Sequence, residues 1–198
     1  MGLANEYLAA LERNVSTVVR QEWTPLQAAA DLICRARLRG RTVYEALGGH
    51  LMPGEADENR RGRPRIFTRI GWKEAGRLRD GDVVLMSNQY GVLERYVEFA
   101  ITAKARGATL IAMAPRSDPK QIVRSHRSGT SVTDHADIVI DTHVPVGDVA
   151  VSAPAGGPGS CPTSGVIQAM LYWALTCGVA QRLAAAGRPP EVPAAPDD

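Results

Sequence analysis

The stretch from Gly81 to Pro115, GDVVLMSNQYGVLERYVEFAITAKARGATLIAMAP, constrains this chain more than any other. Val83-Val84-Leu85-Met86 is a continuous apolar run between Gly81-Asp82 and Ser87-Asn88. That is the pattern of a strand covered on both faces, as inside a parallel sheet. From Leu93 the apolar period becomes helical: Leu93, Val97, Ala100, Ile101 and Ala105 share one side, while Glu94, Arg95, Glu98 and Lys104 take the other. Gly107 predicts the helix end, because a left-handed cap costs glycine almost nothing. Thr109 to Ala114 is the next apolar run, so the stretch predicts one right-handed βαβ unit.

The loop between strand and helix carries the functional signal. Ser87, Asn88, Gln89, Tyr90 and Gly91 lie where a strand ends and a helix begins, so backbone N–H groups, a hydroxyl and two amides converge near the positive end of a helix dipole. In open α/β sheets ligands bind at that edge. Two readings stand at this point: a ligand loop, or Ser87-Asn88 as an ordinary helix cap.

A chain of 198 residues is long enough for one α/β domain. With 44% hydrophobic but only 5% aromatic residues and 19 glycines, it suits helices packed on a sheet through small side chains. Its formal charge of +2 makes no global demand for nucleic acid, and none is expected. No apolar run reaches the roughly 20 residues of a membrane span, and the N-terminus is amphipathic rather than signal-like, so the expectation is a cytoplasmic protein without membrane contact. Cys34, Cys161 and Cys177 are odd in number and lack CxxC spacing, which predicts free thiols and no metal site.

Leu8, Leu11, Val15, Val18 and Val19 predict a first helix over residues 4–20. Thr24-Pro25 predicts the cap and first turn of a second, running to Gly40. These helices need a surface, either the sheet or another subunit. Arg41 to Leu47 predicts the first strand, with Gly48-Gly49-His50 as the tight loop after it: a second wall of the pocket, or a plain turn. Glu45 inside that strand is costly unless paired. Residues 52–64 are polar, with Arg60, Arg61, Arg63 and Arg65 clustered; a solvated charge run is the usual meaning, a phosphate or subunit clamp the alternative. Glu55 and Glu58 share helix-face spacing, as a general base or as solvent-facing carboxylates.

Ile66 to Ile70 predicts a short strand, Trp72 to Leu78 a weak helix, Ala136 to Asp141 a buried strand and Ala150 to Ser152 a final one. A long apolar helix follows Pro162-Thr163-Ser164, its hydroxyl-rich start aimed where a ligand could sit. Residues 187–198, GRPPEVPAAPDD, predict a disordered tail.

The order of these motifs resembles the SIS (sugar isomerase) domain family, in particular small bacterial members related to phosphoheptose isomerases. The carrying residues are GDVVLMSN (81–88), AKARGATLIAMA (103–114), SHRSG (125–129), DHADIVIDTHVPVGDVAV (134–151) and PTSG (162–165). The resemblance covers most of residues 81–187 and little of 1–78. It implies a flavodoxin-like three-layer α/β sandwich over 1–186, with N-terminal helices over 1–40 and an α/β core of about five parallel strands over 41–186. It also implies a dimer or tetramer paired through the terminal helices, with sites near the subunit interfaces. Phosphate would be held by Ser87 to Gly91, helped by Gly48, Gly49, Thr163 and Ser164, with no cofactor and no metal. A glutamate proton shuttle would be Glu55 or Glu58, and a ring-opening histidine His50 or His126. Two departures stand out: in the phosphate loop one hydroxyl is replaced by an amide with a phenol beside it, and the last helix has Gln168 and Tyr172 where a histidine is usual.

The leading expectation is a metal-independent aldose–ketose isomerase of a sugar phosphate, moving a proton between adjacent carbons through an enediolate. A non-catalytic phosphosugar-binding regulatory module and a sugar-phosphate lyase are the rivals.

Overall fold

In the computed structural model the described residues are 2–49, 57, 60–116, 124–152 and 159–194. The apolar runs form five strands: β1 (Val43–Leu47), β2 (Thr68–Arg69), β3 (Val83–Ser87), β4 (Thr109–Met113) and β5 (Ile138–Ile140). Around them lie α1 (Leu3–Gln21), α2 (Trp23–Leu38), α3 (Glu94–Ala105), the single turn α4 (Val132–His135) and α5 (Ser164–Ala185). Every pairing is parallel, in the order β2-β1-β3-β4-β5, which is the flavodoxin-like order and bears out the expected fold class.

All five side chains of β3 are buried. Val83 and Leu85 join a core with Ile33 of α2 and Leu171 and Leu175 of α5; Val84 and Met86 join a second core with Val97 and Phe99 of α3. A period of two on a strand thus feeds two helical layers from one run of sequence. Register places Leu47, Ser87 and Met113 side by side, so β1, β3 and β4 end level.

Several boundaries move. The cap of α2 is Glu22, and Thr24 and Pro25 fall in its first turn, where a missing N–H is tolerated. Gly40 follows the helix with φ +72°, in the left-handed region. Residues 72–78 make only a 3₁₀ turn, Ala75–Arg77. The expected strand at Ala150 to Ser152 is instead a single antiparallel bridge, Val151 to Ser160, which closes a local loop and leaves the sheet unextended. The three cysteines are free thiols.

The charge run is also corrected. Arg63 is buried, not solvated, and its Nη2 lies 2.5 Å from Oε1 of the fully buried Glu45. The Tyr172 hydroxyl donates to Glu45 Oε2 at 2.9 Å and accepts from Arg63 Nη2 at 3.0 Å. This is the partner that the carboxylate in β1 required. Burial holds the Glu45 carboxyl above its ordinary range, opposed by the Arg63 charge, and burial with the neighbouring Glu45 charge holds the Tyr172 phenol up. The tail expectation changes for the same region: residues 187–194 are tied down, with Arg65 N–H donating to Glu191 O at 2.8 Å and Gly62 N–H to Pro193 O at 3.4 Å.

Arg63→Ala leaves Glu45 buried without its cation and should cost about 3–5 kcal/mol in urea unfolding, against a much smaller loss for the double change with Glu45→Gln. Because the folded-state Glu45 carboxyl titrates above its unfolded value, its contribution is fullest below about pH 4 and is lost as pH rises through the folded value. The penalty in Arg63→Ala should therefore grow with pH in this window. A penalty that is flat with pH would assign it to lost packing.

Candidate functional site

The strand order reverses between β1 and β3, and in open α/β sheets ligands bind at the carboxyl ends of the strands at such a switch point. Gly48 N–H donates to Ser87 O at 2.7 Å, which brings the two loops together. Glycine is required on the β1 side. A Cβ on Gly48 would lie 2.8 Å from the Tyr96 hydroxyl and 3.0 Å from Trp72, and Gly49 has φ +117° with its Cβ position 3.0 Å from Gln168 Oε1. His50, Glu55 and Glu58 lie outside the described residues.

On the β3 side Ser87 and Asn88 are completely buried. Among the described residues neither Ser87 Oγ nor either amide atom of Asn88 has a hydrogen-bond partner, and the same holds for both amide atoms of buried Gln168 on α5. A buried polar group without a partner costs about 1–3 kcal/mol, so three such side chains around one switch point need a reason. Helix capping does not supply it. The N-cap of α3 is Leu93, with no side-chain cap bond. Gly91 turns the loop with φ +66°, its Cβ position 3.3 Å from Asn88 Oδ1, and Val132 N–H donates to Gly91 O at 2.8 Å.

Gln89 and Tyr90 belong to a different network. Gln89 Nε2 donates to the Tyr90 hydroxyl at 3.1 Å and to Asp148 Oδ2 at 2.9 Å. Asp148 Oδ1 accepts from the backbone N–H of Thr163 at 3.0 Å and of Ser164 at 3.1 Å. The amides at the start of α5, which the sequence reading left open for a ligand, are thus met by the chain's own carboxylate, a favourable charge at a helix N-terminus. Burial and the charge of Asp148 push the Tyr90 phenol up, so it remains a protonated hydroxyl. Asp148 was the residue that sequence reasoning missed; it has φ +50°, an uncommon conformation for a side-chain-bearing residue, directly after Gly147.

His126 is buried in the connection that follows β4, where Ser125 N–H donates to Val92 O at 3.3 Å. Its Nε2 lies 2.8 Å from Glu98 Oε2 on α3, and its Nδ1 accepts from Ser128 N–H at 3.1 Å. Both ring nitrogens are engaged. Among the described residues no group of three or more His, Cys, Asp or Glu side chains could hold a metal, and no helix is long and apolar enough to cross a membrane.

The chain matches no protein-family model. Among curated relatives, a UPF0309 protein of Streptomyces coelicolor is 34% identical over 57% of this chain and 45% of its own length. One of Shouchella clausii is 30% identical over 61% of this chain and 48% of its own length. The match therefore spans about half the length of these relatives. Among solved structures, a protein of Bacteroides fragilis assigned as a phosphosugar isomerase involved in capsule formation aligns with TM-score 0.61 at 15% identity, over 92% of both chains. The phosphoheptose isomerase of Neisseria gonorrhoeae aligns at 0.59 with 14% identity, over 88% of this chain and 96% of its own. The Vibrio vulnificus NanR protein, complexed with ManNAc-6P, aligns at 0.58 with 9% identity, over 94% of this chain and 64% of its own. The SIS resemblance read from the sequence holds at the level of the fold.

Replacing Asp148 by alanine removes the acceptor of two α5 amides and of Gln89, and should lower stability by about 1–3 kcal/mol in urea titration. Asp148→Asn, which retains one carbonyl acceptor, should recover part of that loss. Equal losses in both variants would assign the effect to the carboxylate charge.

Proposed function

We propose that this chain binds a sugar phosphate in the crevice between the β1 and β3 loops and interconverts its aldose and ketose forms. One observation carries the binding reading: Ser87 Oγ and the amides of Asn88 and Gln168 are buried and unpartnered around the switch point of a parallel sheet. The phosphate would be met by the backbone and hydroxyl of residues 87–91 with Gly48 and Gly49, and the two amides, each donor and acceptor, suit sugar hydroxyls. The SIS fold supports this, since the Neisseria neighbour is a phosphoheptose isomerase and the Vibrio neighbour holds a sugar phosphate.

For turnover, a carboxylate must take a proton beside a carbonyl and return it one carbon along, while N–H donors stabilise the enediolate oxygen. On the SIS resemblance that carboxylate is Glu55 or Glu58. Anchoring the phosphate away from the reacting carbons would orient them. Subunit pairing through the N-terminal helices and α5 belongs to the same proposal, supported by the exposed Leu8 and Val19 of α1, Trp23 of α2 and Val166 of α5.

A second reading, a sugar-phosphate-binding module without turnover, is favoured by the imidazoles. His126 is engaged by Glu98 and Ser128, and α5 presents Gln168 and Tyr172 where a histidine is usual.

Ser87→Ala separates a binding role from a structural one. Because Ser87 Oγ has no partner in the free protein, its removal should leave unliganded stability unchanged or slightly higher, while weakening the best ligand of a sugar phosphate thermal-shift screen about tenfold. Lower stability with undiminished ligand affinity would sink the binding assignment. Incorporation of deuterium from solvent beside the sugar carbonyl then tests turnover. Glu55→Gln or Glu58→Gln should slow it about 10²–10⁴-fold, and binding without exchange in the parent chain would favour the module.

A further inference from the structure

The opposite edge of the sheet holds a feature that neither the crevice nor the sugar-phosphate reading uses. Arg41 and Gly81 lie just before β1 and β3, and the C-termini of α2 and α3 come to the same edge. Arg41, Arg77 and Arg79 line a cleft of about 490 Å³ with Thr42, Tyr44 and Asp82. Arg41 also lines an adjoining cleft with Arg35 and Arg39, and Arg106 reaches the 3₁₀ turn, with its Nη2 3.7 Å from the Cβ position of Gly76.

All six of these arginines are exposed. Of them, Arg77 has a carboxylate partner, Glu74, at 2.6 Å; among the described residues the other five make no ion pair. Of the acids at this edge, Asp82 is buried and accepts from Arg79 N–H, and Asp80 is exposed beside Gly107. Neither makes an ion pair with these arginines among the described residues. Helix dipoles account for Arg35, Arg39 and Arg106, which sit at α-helix C-termini. They do not account for Arg41, Arg77 and Arg79, which converge on the larger cleft from elsewhere.

We propose that this edge docks the phosphate backbone of a nucleic-acid duplex. Guanidinium groups match phosphate oxygens two at a time, and the positive surface continues from one cleft into the next, beyond what a single phosphate would occupy. None of the exposed large apolar side chains lines either cleft, so the surface lacks the apolar insertion that holds proteins on membranes. Tyr44 is half-buried in β1 and is the sole aromatic side chain lining these clefts, which disfavours stacking on unpaired bases. The net charge of +2 conceals the surface because 21 Asp and Glu offset 23 Lys and Arg over the chain as a whole.

Fluorescence anisotropy of a labelled mixed-sequence DNA duplex with the full chain tests the proposal. With about four phosphates engaged, affinity should fall about a hundredfold between roughly 50 and 200 mM salt. The triple change Arg39→Glu, Arg41→Glu, Arg79→Glu should weaken binding at least tenfold. The control Arg13→Glu, Arg20→Glu, Arg127→Glu, with the same charge change on other surfaces, should stay within about threefold. Both are checked for folding by circular dichroism, and single Arg79→Gln, with a loss of about threefold, serves where the triple variant does not fold. Absence of duplex binding at low salt, equal loss in the edge and control variants, or retention on phosphatidylserine vesicles without duplex binding would each overturn it.

Discussion

Everything in this molecule hangs on β3 being covered on both faces. A strand whose five side chains are all inaccessible must sit in the interior of a sheet with helices above and below it. Its neighbours then have to be parallel, because the crossover helices occupy the faces. Placing β1 on one side and β4 on the other produces the reversal of strand order, and with it the switch point between β1 and β3. The polar residues Ser87 and Asn88 are buried for this reason: they end the most deeply covered strand.

The same burial imposes a cost that the chain meets locally. Glu45 lies on β1 where an apolar residue would be expected, and Arg63 and Tyr172 converge on it from the connection before β2 and from α5. Three elements are thereby locked together by charge and hydrogen bonds. The lock sits two residues from the end of β1, so the segment that supplies Arg63, and residues 187–194 laid against it, are held in fixed relation to the Gly48-Gly49 loop.

The two edges of the sheet show how differently polar groups can be left. At the carboxyl edge the start of α5 is satisfied by Asp148, whereas Ser87, Asn88 and Gln168 are buried and open. A helix N-terminus is thus not in itself a ligand site here. At the amino edge the exposed charges are mostly arginines, with Asp82 buried among them. Buried neutral donors and acceptors suit a small polar ligand, and an exposed cationic surface suits a large anionic one.

Much of this was legible in the chain itself. The apolar runs, the change of period at Leu93 and the glycines at 107 and 48–49 were enough to determine the parallel α/β fold and the position of the loop at residues 87–91. These are properties of near neighbours in sequence, and periodicity reports them directly. What only the tertiary structure decided is which polar groups are spoken for. Asp148 meets Gln89 across 59 residues and Arg63 meets Tyr172 across 109, so an arginine in an apparent surface run became a core residue and an open helix end became a filled one. The charge of +2 was legible too, but not its segregation. The pairing of buried polar groups depends on where separate elements are brought by the burial of apolar surface, and linear spacing carries no record of that.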